Sequence, residues 1–262
     1  MRALTDIGAG VELIRRSPTA YFAIALGGAI LETLFTQAGV FLLAPFILSI
    51  AGAYFLIVLA TENCTGITDY RRIEWKPKPG PALAVLQSAM LIMVMFFLCM
   101  IPFSLVFTMA LGPSMPANGP VDEAQLDSMF QTYISTLLDS TSSVLILLAG
   151  YVVILAFTVS RMALVPVIAV AWELDFREAR KRHAETWLKL RGRVFAALLV
   201  LFAVGQVPAI GVAWIIGGPA GVMLANLIDW FVGLALPIAV ISALLYRSAT
   251  ASGPGNGSQA NS

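Results

Sequence analysis

The sequence predicts an all-α polytopic transmembrane bundle of about six spans, with both termini on the inner side and amphipathic helices at the interfaces. Three observations carry that prediction. Of 262 residues, 59% are hydrophobic and only 12% charged, against about 25% charged in an ordinary soluble domain. Several apolar runs reach the roughly 20 residues needed to cross a bilayer. Of the connections between those runs, only alternate ones carry Lys or Arg.

Each element follows from its local pattern. Residues 1–16 place Leu4, Ile7, Val11 and Ile14 at helical spacing, with Arg2, Glu12, Arg15 and Arg16 elsewhere. That predicts a short amphipathic helix on the inner surface, weakened by Gly8 and Gly10. Pro18 suits the first turn of span 1. The apolar stretch Tyr21–Ala60 would measure about 60 Å as one helix, more than any bilayer core. It therefore divides at Thr36–Gly39 into span 1 (18–37) and span 2 (39–60). Its length also argues against a cleavable signal peptide. The polar, turn-rich Thr61–Pro81 reads as a loop.

Span 3 covers 82–111. Residues 121–139 then place Leu126, Phe130, Tyr133 and Leu137 at helical spacing behind an Asp122/Gln125 capping pair, predicting an outer surface helix. Span 4 (143–172) leads into the charged stretch Trp172–Arg193. Spans 5 (194–216) and 6 (220–246) follow, and the Gly/Ser/Asn-rich tail 247–262 reads as disordered.

Orientation follows from the basic residues. Arg2, Arg15 and Arg16, then Arg71, Arg72, Lys76 and Lys78, and seven residues of Trp172–Arg193 all lie on one set of connections. The connections 36–39, 112–141 and 217–219 contain no Lys or Arg. Both termini inside satisfies the positive-inside rule throughout and suits a plasma (bacterial inner) membrane. "PFSLVFTMALGP" (Pro102–Pro113) and "PAIGVAWIIGGP" (Pro208–Pro219) suggest that spans 2–3 and 4–5 are same-orientation hairpin repeats, with chance resemblance equally admissible.

Ionisable residues inside spans are candidate functional groups. Glu32, Arg161 and Asp229 qualify, and Gln206 adds a hydrogen-bonding group to this intramembrane polar set. Asp229 falls near the midplane of span 6, about 15 Å from its outer end. Arg161 would be mid-bilayer in a straight span 4, or at the inner interface if the helix bends at Pro166.

Catalysis has little support. His183 is the single histidine, and no HExxH, GxSxG or P-loop pattern occurs. No metal, cofactor or nucleic-acid partner is expected. Cys64 and Cys99 read as small packing residues. The sequons at Asn63 and Asn256 fall on the inner side, where neither would be used.

Within Trp172–Arg193, an Asp175/Glu178 capping box predicts a helix to about Leu190. Phe176, Ala179, His183, Trp187 and Leu190 form its apolar stripe, on which His183 would be a packed, hydrogen-bonded imidazole. Glu178–Arg182 and Glu185–Lys189 are favourable i,i+4 pairs. Arg177, Arg180, Lys181, Arg182, Trp187 and Lys189 are the expected contacts to anionic headgroups on the inner leaflet.

The stretch "SRMALVPVIAVAWELDFREARKRHAETWLKLRGR" resembles the six-span membrane domain of some bacterial glycerophosphodiester phosphodiesterases and the related YciC-like inner-membrane proteins. The matching positions are Arg161, Leu164, Pro166, Thr186, Trp187, Leu188, Leu190 and Gly192. The resemblance implies a stand-alone inner-membrane protein without the soluble catalytic domain.

Two functional readings follow. One is a non-catalytic protein that organises envelope or lipid, with membrane lipids as partners and with self-association or another membrane protein left open. The alternative is a small-solute or ion transporter using Glu32, Arg161 and Asp229. A third, a lipid-modifying enzyme, would require Glu62, Glu173 and Arg161 to converge.

Overall fold

A computed structural model describes residues 2–38, 43–111 and 141–251. Among these the regular structure is helical: α1 (Arg2–Arg16), α2 (Pro18–Gln37), α3 (Leu43–Thr65), α4 (Pro79–Leu111), α5 (Thr141–Met162), α6 (Leu164–Trp172), α7 (Phe176–Arg182), α8 (Ala184–Ile216), α9 (Gly218–Ile228) and α10 (Leu236–Ala251). A 3-10 turn, Tyr70–Arg72, lies between α3 and α4. A π-helical stretch, Asp229–Ala235, joins α9 to α10.

Six stretches of the described residues are long and apolar enough to cross a membrane: Pro18–Gln37, Ala44–Thr65, Pro79–Leu105, Val144–Trp172, Ala184–Ala213 and Gly218–Thr250. The outer surface helix expected at 121–139 lies outside the described residues, as does the tail beyond Ala251.

Several boundaries differ from the sequence reading, each for a local reason. Helix α3 continues to Thr65 because Tyr21, Ser17 and Arg16 pack around its last turns. There Arg16 Nη1 donates to the Asn63 carbonyl at 2.9 Å, and Ser17 Oγ lies 3.0 Å from Asn63 Oδ1. Span 4 is two helices, not one. Pro166 has no N–H to return to the Met162 carbonyl, and its ring crowds that carbonyl, so the chain breaks at Ala163. Span 5 begins ten residues earlier than expected, at Ala184, absorbing half of the expected surface helix. The charged connection is therefore a short α7 followed by the first turns of α8, with His183 at the corner. Residues 247–251 belong to α10 rather than to a disordered tail.

Helix α1 departs most from expectation. Its buried residues are Asp6, Ala9, Gly10, Leu13 and Ile14, while Leu4 is 67% exposed. The face that packs is the small-residue face, turned about one residue from the apolar stripe. Gly10 permits this: a Cβ there would stand 2.9 Å from the Val240 backbone nitrogen, so α1 and α10 approach at backbone contact. Glycine's helix-weakening cost is offset by packing.

The main core unites α1, α3, α6, α8 and α10 around Leu56, Leu59, Leu164, Ile168, Leu198, Ile241 and Leu244. Of the six apolar stretches, that of α4 is the least buried. Leu83, Leu86, Met90, Val94, Phe97, Ile101 and Leu105 run down one side of it exposed, the ridge that would meet acyl chains. The two helices carrying the paired prolines, α4 with Pro102 and α8 with Pro208, have the same length of 33 residues. Cys64 is buried in α3 and Cys99 half-buried in α4.

Candidate functional site

The intramembrane polar residues gather at the π-helical stretch. A π-turn widens the helix and re-aims its side chains, and such turns recur at functional sites. Here it places Asp229 and Trp230 on adjacent bearings toward two helices. Trp230 is 3% exposed, and Gly28 of α2 and Gly52 of α3 lie directly against its indole ring; a Cβ on either would overlap it. Trp230 Nε1 donates to Glu32 Oε2 at 2.5 Å. One turn earlier, Asn226 Nδ2 donates to Thr33 Oγ1 at 3.0 Å, and Thr33 in turn donates to the Ala29 carbonyl at 2.7 Å. On the other side Gln206 Nε2 donates to Asp229 Oδ1. Glu32, Thr33, Asn226, Asp229, Trp230 and Gln206 thus form a polar seam through α2, α8 and α9, each bonded within the protein rather than left to lipid.

A cavity of about 560 Å³ adjoins this seam. Asp229, Gln206 and Trp230 occupy one wall, with Ser88, Phe96 and Tyr151 among the other lining residues. Ser88 is buried and its hydroxyl has no hydrogen-bond partner among the described residues. The volume is that of a small-molecule pocket, mostly apolar with few polar groups.

Arg161 does not join Glu32 and Asp229. It stands at the last turn of α5, half-buried, its guanidinium carbon 4.6 Å from the centroid of the Phe157 ring. It lines a second cavity, of about 420 Å³, together with Arg180, His183 and Trp187 from the charged connection. Arg161 and the charged connection thus share one cavity. Among the described residues Arg161 forms no ion pair with Glu32 or Asp229. Among the described residues no ion pair joins Arg161 to Glu62 or Glu173, and Glu173 is bonded to Lys78.

On the connection itself Asp175 caps α7 as expected, its carboxylate accepting from Glu178 N at 2.7 Å, and Glu178 holds Arg182 at 2.8 Å. Arg177, Arg180, Lys181, Arg182 and Lys189 are exposed, while Ala179 and Leu190 are buried beneath them. His183 was expected to be packed and hydrogen-bonded. It is packed, stacked on Trp172 with ring centroids 4.7 Å apart, but its Nε2 is buried without a partner. Burial first, then the neighbouring Arg182, push the imidazole pKa below its ordinary value.

One ion pair escaped the sequence reading. Arg193 donates to both carboxylate oxygens of Asp6, at 2.5 and 3.1 Å, and the Asp6 side chain is 3% exposed. The signal was present as an acid on the small-residue face of α1, one turn before Gly10.

Fold and site together define a multi-pass α-helical membrane protein with a polar seam in its interior and a basic corner at one end. No family model, curated protein or solved structure matches the chain.

Proposed function

We propose that this is a non-catalytic, lipid-organising protein of a plasma (bacterial inner) membrane, with both termini inside and its basic corner on the anionic leaflet. The carrying observation is the exposed cluster Arg177, Arg180, Lys181, Arg182 and Lys189 beside Trp172 and Trp187. Each Lys or Arg held near an anionic surface contributes about 1 kcal/mol, and interfacial tryptophans anchor at headgroup level. The positive-inside distribution and the resemblance of residues 160–193 to YciC-like membrane domains support the same reading.

The test is lipid enrichment around the full-length protein in nanodiscs of phosphatidylcholine with 20–30% phosphatidylglycerol (roughly the anionic load at which surface potential matters). Wild type should enrich phosphatidylglycerol in a salt-sensitive way, and Arg177→Ala/Lys181→Ala should remove most of that enrichment. Unchanged enrichment in the double variant would sink the proposal.

A transporter is the second reading, favoured by the 560 Å³ cavity with Asp229 and Gln206 on its wall. It would use Asp229 and Glu32 without Arg161. Flux in proteoliposomes that Asp229→Asn abolishes would support it; no flux across a broad panel of solutes counts against it.

A further inference from the structure

The second cavity has features that a general surface charge does not require. Arg161 and Arg180 both line it, and no carboxylate among the described residues lies within ion-pair distance of either. The His183 and Trp187 rings form part of the same wall, and His183 Nε2 and Trp187 Nε1 are both buried with no hydrogen-bond partner among the described residues. Buried polar nitrogens are ordinarily satisfied, so two orphans at one cavity point to a missing acceptor. Two uncompensated guanidinium groups specify that the acceptor is anionic.

The remaining lining residues define the rest of the ligand. Met95, Phe157, Val165 and Leu188 are apolar, and Phe157 and Leu188 are exposed on the outer surface of the bundle. A soluble oxyanion would leave these groups unused. A molecule with a phosphate at one end and hydrocarbon at the other would use both.

We propose that this cavity is a one-to-one binding site for the phosphate headgroup of an anionic phospholipid. Arg161 and Arg180 clamp the phosphate, Trp187 Nε1 and His183 donate to it, and an acyl chain lies along Phe157 and Leu188. Arg161 is thereby explained: a guanidinium held against Phe157 at the end of a membrane helix has a ligand in place of a protein partner. The proposal rests on the lipid-binding reading above, but demands a stoichiometric site where that reading needs only a charged surface.

Native mass spectrometry of the full-length protein, released from micelles and titrated with dioleoyl phosphatidylglycerol, tests it. Wild type should retain one lipid per chain with saturable affinity. Arg161→Gln should weaken that affinity about tenfold or more, as loss of a charge-assisted pair implies. Trp187→Phe, which keeps an aromatic ring but removes the pyrrole half of the indole with its N–H, should weaken it about two- to tenfold. Arg177→Ala/Lys181→Ala should leave the single retained lipid in place while removing the salt-sensitive enrichment in nanodiscs. Dioleoylglycerol, which lacks phosphate, should not compete, and glycerol 3-phosphate, which lacks chains, should compete only weakly. Wild-type affinity in Trp187→Phe and in whichever of Arg161→Gln and Arg180→Gln folds overturns the site while leaving the surface reading standing. Equal competition by dioleoylglycerol overturns the phosphate clamp, and equal competition by glycerol 3-phosphate overturns the lipid. Loss of enrichment and of the retained lipid together in the surface variant would merge the two sites and overturn the separate pocket.

Discussion

Trp230 donates its indole N–H to Glu32 at 2.5 Å across two helices, with its ring pressed between Gly28 and Gly52. The bond joins residues 198 positions apart. It gives an intramembrane carboxyl a donor, and the two glycines give a large ring space between helices. Trp230→Phe keeps an aromatic ring but removes the donor with the pyrrole half of the indole, and should lower stability by at least about 1–2 kcal/mol, the upper range for hydrogen bonds between membrane helices. Thermal unfolding in detergent, followed by near-ultraviolet circular dichroism, reads the loss. Glu32→Gln, which still accepts, should lose less.

Gly28→Ala and Gly52→Ala each place a methyl group where the Trp230 ring lies. Overpacking of this kind should cost about 1–3 kcal/mol each. Because both methyl groups meet one ring, the double variant should be non-additive. Combining Gly28→Ala with Trp230→Leu should recover part of the loss, and the same melting experiment measures the rescue.

Asp6 and Arg193 pin the N-terminal helix to α8. Arg193→Gln strands a buried carboxylate, whereas Asp6→Asn leaves an exposed guanidinium with water. The first should therefore be the more damaging, by about 1–2 kcal/mol, moderated because Arg193 is half solvated. Hydrogen exchange over residues 2–16 should rise in both variants. Equal protection in wild type and Arg193→Gln would show that the ion pair does not hold α1.

His183 predicts a pH dependence whose sign follows from burial. Its folded pKa is depressed, by burial first and Arg182 second, so the unfolded corner binds a proton more readily than the folded one. The stability it contributes is present above the ordinary histidine pKa of about 6.5 and is lost as pH falls through the lower folded value. Arg161 and Arg180 line the same cavity and oppose protonation in the same sense. Protection factors of amides in 176–190, corrected for the slower intrinsic exchange at lower pH, should fall between about pH 7.5 and 5.5 in wild type (a window set around that ordinary value). His183→Gln should flatten the slope.

Gly10→Leu should separate α1 from α10, since the Val240 backbone cannot move as a side-chain tip can. A Gly8→Leu control, with nothing within 4 Å, should leave protection of α1 unchanged. Hydrogen exchange over residues 2–16 distinguishes the two.

Much of the architecture was legible because hydropathy and length are one-dimensional. A run of about 20 apolar residues has few alternatives to a span, and the Asp175 cap of α7 is a local pattern that needs no partner. The candidate site was legible in part for the same reason. Glu32, Asp229 and Gln206 stand out as polar residues in apolar runs, and three of the four named candidates meet at one seam. Arg161 was visible as a charge but not as a place, because its depth depends on whether the chain bends before Pro166.

Other features left no one-dimensional trace. In α4 every face is apolar, so the sequence shows no difference between the ridge facing outward and the face against α5. Gly28, Gly52 and Trp230 are unremarkable singly and form a socket only when three helices converge. Asp6 reads as the wrong residue on an inner-surface helix until Arg193 arrives from the other end of the chain. The sequence by itself determined the helices, their approximate ends and the placement of charge, since backbone hydrogen bonding in lipid and the cost of burying ions act on each segment separately. The tertiary structure decided the partners: which faces touch, which charges are neutralised, and that Arg161 lies with Arg180, His183 and Trp187 instead of with Asp229. Those are properties of close packing between distant segments, where a single glycine or a missing proline N–H shifts a helix enough to change what its side chains meet.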